Sequence, residues 1–223
     1  MRISKKLLKQ LREELLKMPT FWEGRTAILE MKTAKYPHWR QMEWIGWYFQ
    51  YLCEKYLSPL VQIPGPKYGR VEFDGLAEIP WDFKAHPSTN ARGQASNLVV
   101  ANDREATAQA IRQYGASGLV LAIGNAIFND ENRSFQRWHK KLKGGASHYE
   151  KERIRRKAPS RLRKTAFELQ EIYLIEIDQK TIQQHPSFQE GFRNADGSPR
   201  KAKVLLDLAM ATPDDIIKYS KKR

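Results

Sequence analysis

Asp74 stands eight residues before the triplet Asp82-Phe83-Lys84. Two carboxylates near the bend of a hairpin can share a hard divalent cation through oxygen ligands. Lys84 lies on the same side of an extended strand as Asp82. There it can bind a phosphate oxygen or help to deprotonate an attacking water. The Phe83 side chain faces away, but its backbone carbonyl is available as a further ligand. A bound water of lowered pKa, a cation neutralising phosphate charge and a lysine steadying the anion add up to metal-assisted phosphodiester hydrolysis. Each residue also has an ordinary reading. Asp74 beside Gly75 can be a turn aspartate, and Asp82 with Lys84 can be a solvent-facing cross-strand pair. The apolar neighbours on both sides favour a central, partly buried position, where a spare carboxylate is costly.

The elements around these residues follow from pattern. Residues 71–74 alternate apolar and acidic, and residues 81–86 alternate again between Pro80 and Pro87. That predicts two strands joined through 75–80. Period two puts Asp82, Lys84 and His86 on one face, with Trp81, Phe83 and Ala85 on the other. Glu72 shares the face of Asp74 and is a reserve ligand; Glu78 is also close to the hairpin. His86 could touch a phosphate or be an incidental loop residue. Helical spacing is read over 3–18, capped by Ser4, and over 39–56, while 21–36 is ambiguous. Residues 103–114 read as a helix ending at Gly115. The apolar run 118–124 reads as a strand covered on both faces. Residues 130–143 read as a helix, 171–177 and 204–208 as strands, 186–199 as loop, and Thr212-Pro213-Asp214-Asp215 as the start of a closing helix. The expected fold class is α/β, a mixed central sheet with flanking helices plus a helical N-terminal part. We expect one domain over 1–223, with the helical part at about 1–58 and the core at about 59–223.

An Asp on one strand of a hairpin followed by acidic-x-Lys on the next resembles the motif of the PD-(D/E)XK nucleases. The order helix, hairpin, helix, apolar strand is similar to that family's core over roughly residues 39–124. The resemblance implies a restriction-endonuclease-like core, Asp74 and Asp82 as metal ligands, Lys84 as the catalytic lysine, and Mg²⁺ as cofactor with Mn²⁺ as substitute. Many members place a Glu on the helix before the hairpin. Glu43, in the first turns of such a helix, is then the fourth catalytic candidate, although beside Arg40 it can equally be an ordinary solvated residue. Phe73 stands where the family's Pro would precede Asp74.

Charge points the same way. Lys plus Arg is 39 against 25 Asp plus Glu, a formal net charge of +14. Such a balance favours a polyanion, most often nucleic acid. Eight basic residues and one acidic one, Glu152, fall in 151–164. Arg153, Arg155, Arg156, Arg161 and Arg163 there, with Arg137, Lys140 and Lys141, are candidates for tracking phosphates, which gives affinity without sequence. The polar loop 88–97 follows directly after the lysine strand, and Arg92, Gln94 and Asn97 could read base edges. An exposed Met42 or Trp44 could wedge between base pairs.

Other classes are excluded. Cys53 is the only cysteine, so no intramolecular disulfide and no cysteine-built zinc site exists. The five histidines show no helical metal spacing. Phosphate-loop, dinucleotide and serine-elbow patterns are missing. No apolar run approaches the roughly 20 residues of a membrane helix, so no membrane partner is expected. Glu13 and Glu14 among the first leucines argue against a secretory signal, and a cytoplasmic location is the default. The expected function is that of a type II restriction endonuclease, a homodimer cutting double-stranded DNA at a short palindrome. A junction-resolvase-like or repair nuclease and a non-catalytic nucleic-acid-binding protein are the alternatives.

Overall fold

A computed structural model describes residues 2–160, 162–185, 187–188, 192 and 199–219. Arg161 and most of the expected loop over 186–199 lie outside the described residues.

The first helix, α1 (Lys5–Leu15), is capped by Ser4, whose hydroxyl accepts the Leu7 N–H, and it buries Leu7, Leu8, Leu11 and Leu15. The ambiguous stretch after Pro19 resolves into a short strand, β1 (Phe21–Glu23), and α2 (Gly24–Thr33), with the Glu23 carboxylate capping the helix. The single helix expected over 39–56 is two elements. Pro37 opens a 3-10 turn (Pro37–Arg40), Gln41 is extended with ψ 141°, and α3 begins only at Trp44 and runs to Leu57.

Two ribbons follow. The short strands β2 (Lys67–Tyr68) and β3 (Val71–Glu72) pair with each other. Strand β4 (Gly75–Ala77) pairs antiparallel with β5 (Ile79–Pro87). Residues 75–77, expected as part of a connection, are therefore a strand. Gly75 is there for close approach, since a Cβ would lie 2.4 Å from Val61 Cγ1. Beyond them come β6 (Leu98–Asp103), α4 (Arg104–Tyr114), β7 (Ser117–Ile127), α5 (Ser134–Leu142), α6 (His148–Arg155), β8 (Ala166–Ile177), α7 (Gln179–Gln184), β9 (Ser187–Phe188), β10 (Lys203–Asp207) and β11 (Asp215–Lys218). The closing helix expected after Thr212 is instead the strand β11, paired with β8. Asp214 accepts the Glu176 N–H at 2.6 Å and Asp215 holds Arg12 at 2.6 Å. Buried Ile217 then fills the sheet face, and a helix here would forfeit both contacts.

The central sheet has the order β1-β8-β7-β5-β4, with β11 also on β8. It is mixed: β5 runs parallel to β7, and β8 antiparallel to it. Helices α1, α2 and α3 cover one face, where Leu11, Ile28 and Phe49 join Trp81, Phe83, Val120 and Phe167 in one buried cluster. The other face packs Leu119, Leu121 and Ile123 against Ile111 of α4, Ile182 of α7, and the small sheet β6-β10-β9 through Val99, Val204 and Leu206. Strand β7 is thus buried on both sides, as its unbroken apolar run requires. No helix among the described residues is long and apolar enough to cross a membrane.

Candidate active site

The β4–β5 register pairs Gly75 with Trp81, Leu76 with Pro80 and Ala77 with Ile79. Just past the end of this pairing, Asp74 comes close to Asp82, near enough for the two carboxylates to act on each other. The eight-residue spacing is the signature of a tight hairpin turning at Glu78, which takes a left-handed φ of 59°. Both Glu78 oxygens are engaged by Ser4, one by its N–H at 2.7 Å and one by its hydroxyl at 2.6 Å. This ties the turn to the start of α1 and keeps Glu78 out of the site.

Past Trp81 the outer edge of β5 has lost its strand partner. The Phe83 N–H donates instead to Asp74 Oδ2 at 2.6 Å. A strand residue presents its N–H and C=O on the same edge, so the Phe83 carbonyl lies on this open edge too. Gln50, reaching from α3, donates its side-chain amide to Asp74 Oδ1 at 2.8 Å. Asp82 is 6% exposed. Its Oδ2 lies 2.7 Å from Lys84 Nζ, but accepts no well-aligned hydrogen bond.

Two buried carboxylates this close resist ionising together. Burial, and then the charge of Asp82, push the Asp74 carboxyl up to about 8, against the pull of Lys84 and the Phe83 N–H. Burial works against the Lys84 ammonium, but the charges of Asp82 and Asp74 outweigh it and raise its pKa. Lys84 is therefore a cation suited to holding an anion rather than to taking a proton. A divalent cation fits these residues. The donors are hard oxygens, and Asp74 keeps a proton toward neutral pH because positive charge at the pair falls short. Among the described residues, no group of three or more His, Cys, Asp or Glu side chains gathers as a metal cage. The oxygen donors a cation could use here are those of Asp74 and Asp82, with backbone oxygen beside them.

The structure does not bring Glu43 to this pair. It precedes the first turn of α3, seven residues before Gln50, or about 10 Å along the axis at 1.5 Å per residue. Its carboxylate is exposed and takes Lys164 Nζ at 2.9 Å. The helical side chain that reaches Asp74 is Gln50. The sequence holds one signal for it: in the run Trp44 to Leu52 it is the only polar amide or charged residue. Beside Asp74 a cavity of about 290 Å³ is lined by Tyr36, His38, Gln50, Glu54 and the reserve residue Glu72. Burial raises the Glu54 carboxyl, and the Tyr36 hydroxyl, donating at 2.9 Å, partly offsets this. His86 is tied to the following loop, its Nε2 lying 2.8 Å from the Ser96 carbonyl. Burial lowers its pKa, which suits a neutral ring donating there.

Arg92, Gln94 and Asn97 are exposed on the loop that leaves β5. Asn90 organises its tip, its Oδ1 accepting the N–H groups of Arg92 and Gln94 and its amide donating to Gln94 Oε1. On α5, Arg137, Lys140 and Lys141 share one helical face by their spacing. Arg155 is held by Glu152 at 2.7 Å, while Arg153 donates to the Ala158 carbonyl at 2.6 Å. Trp44 cannot wedge between bases: it is 1% exposed and its indole N–H donates to the Lys164 carbonyl at 2.9 Å. Met42 is half-buried, with its sulfur 3.1 Å from Lys143 Nζ.

No protein-family model, curated protein or solved structure matches the chain.

Proposed function

We propose that this protein is a metal-dependent endodeoxyribonuclease, of the type II restriction kind, that cuts double-stranded DNA at a short palindromic site as a homodimer. The observation that carries the reading is Asp74 beside Asp82 at the β5 edge, with Lys84 on Asp82. Asp74, Asp82 and the Phe83 carbonyl would hold Mg²⁺, or Mn²⁺ in its place. A cation bound there supplies a water of lowered pKa and neutralises charge on the phosphate. The chain's own groups do the rest. Lys84 presents an ammonium to a phosphate oxygen, Gln50 and the Phe83 N–H fix the Asp74 carboxylate, and Asp74 gives up its proton when positive charge arrives. The net charge of +14, with Arg137, Lys140, Lys141, Arg155 and Arg156 exposed or half-exposed, supports a duplex backbone as the bound anion. The loop bearing Arg92, Gln94 and Asn97 starts from the catalytic strand and is suited to reading bases.

The test is incubation of plasmid with Mg²⁺, in parallel with EDTA and with Lys84→Ala. Discrete fragments that require both metal and Lys84 are expected. Undiminished cutting by Lys84→Ala sinks the assignment. Cleavage confined to branched substrates would make the protein a structure-selective nuclease. Salt-sensitive binding without cleavage of any substrate would make it a non-catalytic DNA-binding protein.

A further inference from the structure

Two cavities, of about 470 and 320 Å³, meet at Ser147 and share no lining residue with the carboxylate pair. Met42 lines the larger and Lys143 the smaller, and these two side chains touch at 3.1 Å, so the cavities form one trough. Arg40, Lys143, Arg153 and Arg163 line it. Among the described residues none of these four pairs with a carboxylate. The two acids of the trough are drawn elsewhere, Glu43 to Lys164 at 2.9 Å and Glu150 toward Lys140 at 3.9 Å.

Its donors are short of acceptors. Arg163 Nε is buried and has no acceptor among the described residues. A guanidinium is a planar fork of five N–H donors that matches an oxyanion, and an unpaired one is a standing demand for an acceptor. Among the described residues the hydrogen-bond partner of Lys143 Nζ is a thioether sulfur, which accepts weakly. Burial lowers the Lys143 pKa; Glu150 opposes this, and the charges of Arg163 and Lys140 add to it. Ser147, which caps α6, lines both cavities, so the positive end of that helix faces the trough. Gly144 and Gly145, with φ of 80° and 134°, also line it, and a Cβ on either would meet nothing within 4 Å.

We propose that this trough binds a phosphate group, with Arg163 and Lys143 as its principal donors. The site stands on these residues alone and does not require the carboxylate pair to be catalytic. Its expected source is a backbone phosphate of a bound nucleic-acid strand. Lys164, which pairs with Glu43 of the trough at 2.9 Å, also acts through its charge on His86 at the far end of the Lys84 strand.

Thermal unfolding in inorganic phosphate, against chloride at equal ionic strength, reads the trough directly. A rise in Tm that Arg163→Gln and Lys143→Gln each abolish, with an unchanged far-ultraviolet circular dichroism spectrum, is expected. No phosphate-specific rise in the wild type overturns the site, and a rise undiminished in both variants overturns its donors. A second arm identifies the source, by duplex binding in a Lys84→Ala background over a range of salt. Arg163→Gln should weaken binding about tenfold and reduce the slope of log K against log salt by about 1. Duplex binding unchanged by Arg163→Gln would overturn the strand as source and leave free phosphate as the ligand. Loss of plasmid cleavage bears on neither arm.

Discussion

Replacing Asp74 by Asn should change how stability depends on pH more than it changes stability at any one pH. In the folded chain the Asp74 carboxyl is held up to about 8 by burial and by Asp82, whereas unfolded it titrates near its ordinary 3.8. Between those values the folded state binds a proton that the unfolded state does not, so stability falls as pH rises through the window. The steepest possible slope for one group is about 1.4 kcal/mol per pH unit. His139 works in the opposite sense lower down. It is fully buried, and burial pushes its pKa from 6.5 to about 4, so its contribution grows as pH rises and levels off about one unit above 6.5. His38 and His86, also lowered by burial, act in the same sense, so the Asp74 term is read between pH 6.5 and 8 as the difference between wild type and variant. There the ceiling is about 2 kcal/mol, and gradual titration with some solvent access brings the expectation to about 1 kcal/mol. For a chain of this size that is about 2–4 °C in Tm. Urea unfolding in EDTA at both pH values, for wild type and Asp74→Asn, measures it. From pH 6.5 to 8 the wild type should lose about 1 kcal/mol relative to the variant. Mg²⁺ at pH 8 should restore the wild type and leave the variant unmoved. Equal pH slopes in the two proteins would refute the account of a carboxylate pair short of positive charge.

Other outcomes follow from single contacts. Gln50→Ala removes the amide donor from Asp74 Oδ1 and should cost about 10- to 100-fold in metal affinity or cleavage; an unaltered Mn²⁺ titration would show that Asp74 needs no such support. Gly118→Ala would put a Cβ 2.4 Å from Trp81 Cε3, so a loss of about 1–3 kcal/mol is expected by chemical denaturation, and wild-type stability would contradict the packing. Arg156→Gln should lower the salt slope of duplex binding by about 1. Arg155→Gln should lower it less, because Glu152 already neutralises Arg155; equal effects would mean that the ion pair opens on binding.

Local signals were legible where a residue has one job. Asp103 and Gly115 cap α4 at the two ends read from the sequence, and the run 118–124 is the doubly covered strand that its lack of alternation implies. Asp74, Asp82 and Lys84 come together as the hairpin spacing implies, although the strand that pairs with theirs is 75–77 and the expected strand over 71–74 pairs instead with 67–68. What was not legible depends on distant partners. Gln41, extended after a 3-10 turn, breaks an aromatic helical pattern, which puts Glu43 at the cap of α3 and leaves Gln50 to meet Asp74. Asp214 and Asp215 look like a helix start, yet they serve Glu176 and Arg12, more than 30 and 200 residues away. Gly75 looks like a strand breaker until Val61 is seen against it.

The Ser4–Glu78 anchor has a kinetic consequence. The two aspartates are neighbours along the chain, but the groups that fix them are not: Ser4 lies 74 residues from Glu78 and Gln50 lies 24 from Asp74. Closing such loops costs entropy that only the finished contacts return. The hairpin therefore reaches its final shape after α1 and α3 have docked on the sheet. During refolding, the Asp74–Asp82 pair is then set behind the burial of Trp22 and Trp81, and a chain caught midway is compact with that pair unformed.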